Sequence, residues 1–283
     1  MLDSHGKLSI VEIAVYTPTA FFCLFNTIRY GFRRDAGWIY LLLFCIIKLT
    51  GAGMNIDIEL GKKENLVTTA TILNTIALSP LLSATLSFVN GGASKTSNEV
   101  RKSWSNSSLP RLLKPVHLLI VVALVLSISG SLDRTKTDQN DLNTGATLLK
   151  LATLLFFIVW AILCLCSLIF WSTRSQYVPM QRTLLAAVLL ALPFLLVRII
   201  YSGLNAINLN TSKSTGHTGK FNPVTGSWAL YLVLGLGPEV IVVALYTTAG
   251  VLNYFKTKRG DRKGDYTGLE LGHTMVTTQA LGR

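Results

Sequence analysis

The chain has 283 residues, of which 50% are apolar and only 14% charged, and its mean hydropathy is +0.48. Soluble domains carry about 25% charged residues, so this composition argues against a soluble enzyme and for a multi-span membrane protein. The formal net charge is +12, but the basic residues stand between apolar runs and in the tail "NYFKTKRGDRKGDY". No aromatic-interleaved basic domain exists, so no nucleic-acid partner is expected.

Seven apolar runs follow in chain order: 8–28, 37–56, 66–89, 112–132, 146–171, 183–204 and 228–252. Each is long enough to cross about 30 Å of hydrocarbon as a helix. The first follows a barely basic flank, "MLDSHGK", and no small-residue cleavage site comes after it, so it is expected to stay as a signal anchor. The second contains Lys48 and, at Gly51 and Gly53, small residues suited to close helix packing. The third is rich in Thr and Ser. The sixth carries Arg198 in "LLVRIIYSGLNAIN". The seventh carries Glu239 in "GLGPEVIVVALY", where the Gly/Pro cluster is able to break or kink a helix. The fold class expected is all-α: a polytopic bundle of seven transmembrane helices over residues 1–255, with a disordered basic tail over 256–283. No internal repeat is evident.

Basic residues set the orientation. Arg29, Arg33 and Arg34 follow the first run. Lys95, Arg101, Lys102, Arg111 and Lys114 surround the loop after the third, and Arg174 and Arg182 bound the loop after the fifth. Lys256, Lys258, Arg259, Arg262, Lys263 and Arg283 lie in the tail. The opposite side holds Lys7, Lys62, Lys63, Arg134, Lys136, Lys213 and Lys220. The bias predicts a lumenal N-terminus and a cytosolic tail, in the endoplasmic reticulum or another endomembrane. Asn210 opens a sequon, "NTS", in the lumenal loop six and is the expected glycosylation site. Asn106 opens "NSS" on the cytosolic side, where it should stay unmodified. Cys23, Cys45, Cys164 and Cys166 all fall within apolar runs and read as small core residues, without metal-ligand spacing. No metal and no cofactor are expected.

The orientation assigns depth. Glu12 lies about one turn below the lumenal surface, and Lys48, Asn55, Asp57 and Glu59 lie toward the lumenal end of the second span. Asn74 is about two turns into the third, Arg198, Tyr201, Asn205 and Asn208 run toward the lumenal end of the sixth, and Glu239 is about three turns into the seventh. A charge at the bilayer centre costs roughly 2.5–3.5 kcal/mol on insertion scales, so Arg198 and Glu239 should face the interior and pair. Removing one partner should be costly, and removing both should restore folding. The same pair would serve simply to pin two helices, Lys48 to snorkel, and Asp57 and Glu59 to be loop charges. Lys150 is expected to snorkel and His117 to sit at the cytosolic interface. Together the polar groups point to a lumenal-side cavity. There a less tightly paired carboxylic acid, Glu12 or Asp57, is able to donate a proton, with Glu239 held ionised by Arg198. Tyr16, Tyr201, Trp228 and Tyr231, with Asn74, are candidate substrate-binding residues, the aromatics offering faces to a cation. Tyr and Trp near span ends also serve as plain interface anchors.

No phosphate-binding loop, HExxH, GxSxG, DDxxD or NSE-type motif is present. The segments "LLVRIIYS" and "GLGPEVIVVALYTTAG" and the short polar tail resemble a fungal family of seven-span integral membrane proteins. The layout is also similar to that of the membrane-bound terpene cyclases of meroterpenoid pathways, the ascofuranone-type cyclases. That resemblance implies a metal-independent cyclase taking a hydrophobic prenylated substrate from the bilayer lipids, protonating its epoxide or olefin and closing a ring. The alternative expectation, from a different class, is a lipid or small-molecule transporter or sensor of the fungal seven-span type.

Overall fold

The computed structural model describes residues 4–30, 36–61, 66–94, 109–133, 138–172, 179–215 and 227–253, and these are helical apart from short turns. The helices are α1 (Ser4–Tyr30), α2 (Gly37–Glu59), α3 (Leu66–Ile76), α4 (Leu78–Ser94), α5 (Leu109–Asp133), α6 (Gln139–Ser172), α7 (Pro179–Thr215) and α8 (Trp228–Asn253). Among the described residues seven spans are long and apolar enough to cross a membrane, with α3 and α4 together forming the third. All seven overlie the seven apolar runs of the sequence. The expected tail, 256–283, lies outside the described residues, as do most of the loops on which the orientation was counted. An odd number of spans sets the two ends of the bundle on opposite sides of the membrane, without fixing which side is which.

The third span is the axis of the bundle. Two-thirds of it is buried, 67%, against 28% for each of the first two spans. The half-span α4 packs against α2, α5, α6 and α7. Around it, α1 packs on α2, α5 on α6, α6 on α7 and α7 on α8, and the start of α8 returns to α1. The outer faces carry exposed Phe21, Leu118, Leu154, Leu165 and Val233. Such residues are at home in lipid, where a helix satisfies its own backbone and needs only an apolar surface. Small residues set the closest approaches: a Cβ at Gly130 would lie 2.8 Å from the Gly145 carbonyl oxygen, so α5 and α6 meet backbone to backbone there.

Two spans depart from regular α-helix. The third breaks at Ala77. Pro80 explains the place: it lacks the N–H that would bond the Ile76 carbonyl, and its ring crowds that carbonyl. In the seventh, Tyr231–Leu236 is a π-helical turn, followed by Gly237 and Pro238. Pro238 removes the donor for the Leu234 carbonyl, and the chain widens by one residue per turn instead of kinking. The Gly/Pro cluster therefore reshapes the helix without interrupting it. The sixth span runs on to Thr215, so the Asn210 sequon lies on the backbone of its last turns rather than in a loop.

Candidate functional site

The two irregular turns lie close together, with Tyr231 Oη 3.5 Å from Asn74 Oδ1, and the buried charges collect beside them. Glu12, Lys48, Arg198 and Glu239 are each no more than 3% exposed. Arg198 donates from Nε to Glu239 Oε1. Lys48 Nζ lies 2.5 Å from Glu239 Oε2, so one carboxylate takes two cations. The pair expected from sequence is thus a triad, and its third member is the lysine whose role sequence left open between a partner and a snorkelling side chain. Two carboxylates and two cations balance within the cluster, the condition under which ions persist in a low-dielectric interior.

Neutral groups complete the network. Lys48 Nζ also donates to Asn74 Oδ1 at 2.8 Å. Tyr231 donates its hydroxyl to Glu12 Oε1 at 2.6 Å, with Lys48 Nζ 3.4 Å from the same phenol. Arg198 Nη2 donates to the Asn74 backbone carbonyl at 3.0 Å. That carbonyl is available because α3 ends at Ile76, and the last carbonyls of a helix lack intrahelical donors. The guanidinium also lies 5.5 Å from the Tyr201 ring, at cation–π distance. Gly235 lets the two phenol rings approach: a Cβ there would come 2.8 Å from Tyr231 Cδ2 and 3.3 Å from Tyr201 Cε1.

Six of the nine residues singled out as catalytic or substrate-binding candidates therefore meet in one place: Glu12, Asn74, Arg198, Tyr201, Tyr231 and Glu239. Tyr16, fully buried, packs edge-on to Phe44 with ring centroids 5.6 Å apart, and its hydroxyl has no partner among the described residues. Asp57 is exposed near the end of α2 and joins none of these bonds. Trp228, 48% exposed at the start of α8, stands at the membrane edge, as an interface anchor does. The Asn210 side chain falls outside what the structure describes. Of the flanking residues, Lys150 is exposed and His117 lies 3.4 Å from the Tyr40 hydroxyl at the other end of the bundle.

The charged cluster is closed. The void beside it, lined by Glu12, Lys48, Asn55, Asn74 and Tyr231, is about 10 Å³, the size of about one water. The open space lies on the other side of the third span. A cavity of about 210 Å³ sits between α3, α5, α6 and α7. Its polar lining is Thr68, Thr71, Thr75, Ser127, Ser131, Thr153, Ser202 and Asn205, and among the described residues no charged side chain lines it. Asn205 Oδ1 is buried in that wall without a partner. Sequence reading singled out Asn205 on the sixth span and missed the hydroxyls. Their signal was the Thr spacing in "VTTATILNT", where Thr68, Thr71 and Thr75 recur at helical intervals on one face.

The cavity and the charge cluster share α3 and α7. Asn74 and Thr75 are adjacent on α3, facing the two sites in turn. Arg198 is one turn from Ser202 on α7, and Ser202 about one turn from Asn205. Whatever shifts α3 or α7 about the cavity also pulls on Arg198 and on the Asn74 carbonyl.

Among the described residues no group of His, Cys, Asp and Glu is arranged to hold a metal ion. The comparison with curated proteins and that with solved structures give no match. A family model described as a domain of unknown function, DUF7702, matches residues 2–255, nearly the whole chain, all seven spans and both sites, and the protein belongs to that family.

Proposed function

We propose that the protein binds a small amphiphile within the bilayer and transports or senses it, with the ligand held in the hydroxyl-lined cavity. What carries this reading is the cavity itself: about 210 Å³ between four spans, with a polar lining that is uncharged among the described residues and an unsatisfied acceptor in its wall. Ligand pockets pair an apolar lining with a few polar groups that fix orientation. The neighbouring charge network supplies the coupling element. It ties α1, α2, α3, α7 and α8 together, and its two irregular turns are the places where such helices bend at low cost. The test is native mass spectrometry of the protein extracted in mild detergent. A bound small molecule is expected, and Ala206→Phe, which fills the cavity, should abolish it. An adduct retained by Ala206→Phe would place the ligand elsewhere, and no adduct at all would oppose the reading.

A second reading, the metal-independent cyclase implied by the resemblance, has one observation in its favour. Glu239 is taken by two cations, whereas the Glu12 carboxyl is bonded among the described residues by the Tyr231 phenol alone. Glu12 is then the acid, and Asp57 falls away because it is exposed. Glu12 would give its proton to the oxygen of a prenyl epoxide as a C–O bond opens, and the ring would close on the carbon so freed. The resulting cation, steadied by Glu239, would lose a proton back to the Glu12 carboxylate, leaving an isomer of the substrate. The spans around Glu12 must part to admit it, since the void there holds about one water. Membranes incubated with a prenylated phenol epoxide should yield an isomer of unchanged mass, insensitive to EDTA and lost in Glu12→Gln. Turnover retained by Glu12→Gln would exclude this mechanism.

The proposed setting is an endomembrane, with the N-terminus lumenal and the tail cytosolic. A glycosylation acceptor fused to the C-terminus should stay unmodified in microsomes, while one fused to the N-terminus is modified. The reverse pattern would invert every depth assignment.

A further inference from the structure

Four of the seven hydroxyls around the cavity spend their protons on their own helix. Thr71 donates to the Val67 carbonyl, Thr75 to Thr71, Ser127 to Ala123 and Thr153 to Leu149, each at 2.8–2.9 Å along its own helix. A hydroxyl has one proton and two lone pairs. Once the proton is spent on the carbonyl four residues back, the oxygen offers the cavity only acceptor capacity. The buried Asn205 Oδ1 is a further acceptor without a donor. Thr68, Ser131 and Ser202 complete the polar lining. At four of its seven hydroxyls and at Asn205 Oδ1 the wall therefore offers acceptors, and a buried acceptor left unbonded is destabilising. With no charged side chain among the described residues of the lining, an ionised headgroup would enter without a counter-ion from them. Between the hydroxyls, Val67, Ile72, Leu149 and Phe156 supply apolar wall.

Resting on the binding reading above, we propose that the cavity selects an uncharged, donor-bearing amphiphile: an alcohol or diol headgroup on an apolar chain, recognised by the hydrogens it gives. At about 210 Å³ the space exceeds that of a single water by on the order of tenfold, enough for a glycerol-sized head. The head donates to Asn205 Oδ1 and to the outward lone pairs of Thr71, Thr75, Ser127 and Thr153. The chain lies along the apolar wall.

The experiment uses the full-length protein in nanodiscs of fixed lipid composition and reads the shift of its thermal midpoint with four probes. These are decane-1,2-diol, its dimethyl ether, decanoate and decylammonium. The diol should raise the midpoint in a saturable way, and the ether, which keeps the shape but has no donor, should not. Asn205→Leu should weaken the diol by about tenfold, the worth of one hydrogen bond. Thr153→Val, nearly isosteric and outside the charge cluster, provides a second reading should Asn205→Leu fail to accumulate, and should weaken it by several-fold. Equal stabilisation by diol and ether overturns donor selection and leaves the binding reading intact. Preference for decanoate or decylammonium overturns the neutral class. No shift with any probe, while a bound adduct persists in native mass spectrometry, overturns the ligand class alone. No shift and no adduct overturn both.

Discussion

Glu239→Gln should be the most damaging single change in the charge cluster. Its carboxylate takes Arg198 on one oxygen and Lys48 on the other, and the two cations are 2% and 3% exposed. Neutralising it leaves two buried cations with Glu12 as the remaining carboxylate of the cluster. Breaking one buried pair costs about 3–5 kcal/mol, and here one substitution breaks two. Arg198→Met and Lys48→Met should each cost less, because Glu239 keeps one cation in either case. The triad also changes what a double mutant does. Removing Arg198 and Glu239 together leaves one cation, Lys48, and one carboxylate, Glu12, so the double mutant should recover part of the loss but not all of it, because Lys48 has lost its partner at 2.5 Å. Full recovery should require Lys48→Met and Glu12→Gln as well, which leaves no ion of the cluster, whereas Lys48→Met, Arg198→Met and Glu239→Leu alone would strand Glu12 as a lone buried carboxylate. Fluorescence-detected gel filtration of the variants, followed by melting of whatever folds, gives the order. Should Glu239→Gln accumulate and melt as the unsubstituted protein does, the three groups do not share a site.

The second large effect is expected at Gly235. A methyl group there falls 2.8 Å from the Tyr231 ring and 3.3 Å from Tyr201, closer than such atoms pack. Tyr231 must move, and its hydroxyl is the partner of Glu12. Overpacking costs about 1–3 kcal/mol, and the lost bond to a buried carboxylate adds roughly 1–3 kcal/mol. Gly53→Ala is the control. It sits inside α2 with nothing within 4 Å of a new Cβ, so the ordinary helix preference of alanine over glycine, about 1 kcal/mol, should stabilise it. Opposite signs for two Gly→Ala changes in one protein separate local packing from helix propensity. Destabilisation of equal size at both sites would mean that the Tyr231 contact contributes nothing.

The spans were legible because lipid imposes a length and a polarity on every helix that crosses it. The pairing of Arg198 with Glu239 was legible for the same reason: two opposite charges in hydrocarbon have few other places to go. Lys48 was ambiguous, since a long side chain reaches either the interface or a carboxylate, and only the packing of α2 against α3 decides between them. The break at Ala77 was written in Pro80, but a Thr-rich apolar run reads as one helix until the i−4 carbonyl is traced. The cavity was the least legible element. It arises from how four helices fail to fill their common space, a property of side-chain volumes brought together from α3, α5, α6 and α7. Sequence placed the polar cavity among the charges; the packing closed that space and left the room on the hydroxyl-bearing side of the same helix.

The closed charge network also bears on how the chain is made. Lys48 and Tyr231 meet across 183 residues of sequence. At about 5–20 residues per second of synthesis, the second span waits on the order of 10–40 s for the seventh. During that interval Lys48, and later Arg198, reside in the bilayer before Glu239 has been synthesised, with Glu12 the one carboxylate of the network already present. Each exposed cation raises the cost of leaving the insertion machinery by roughly 2.5–3.5 kcal/mol. The seventh span thus acts as the closing clasp of biogenesis: a nascent chain that stops short of Trp228 carries two cations of the network against one carboxylate, an excess charge that Glu239 would cancel, and such a truncated chain should be retained and degraded rather than join the folded pool.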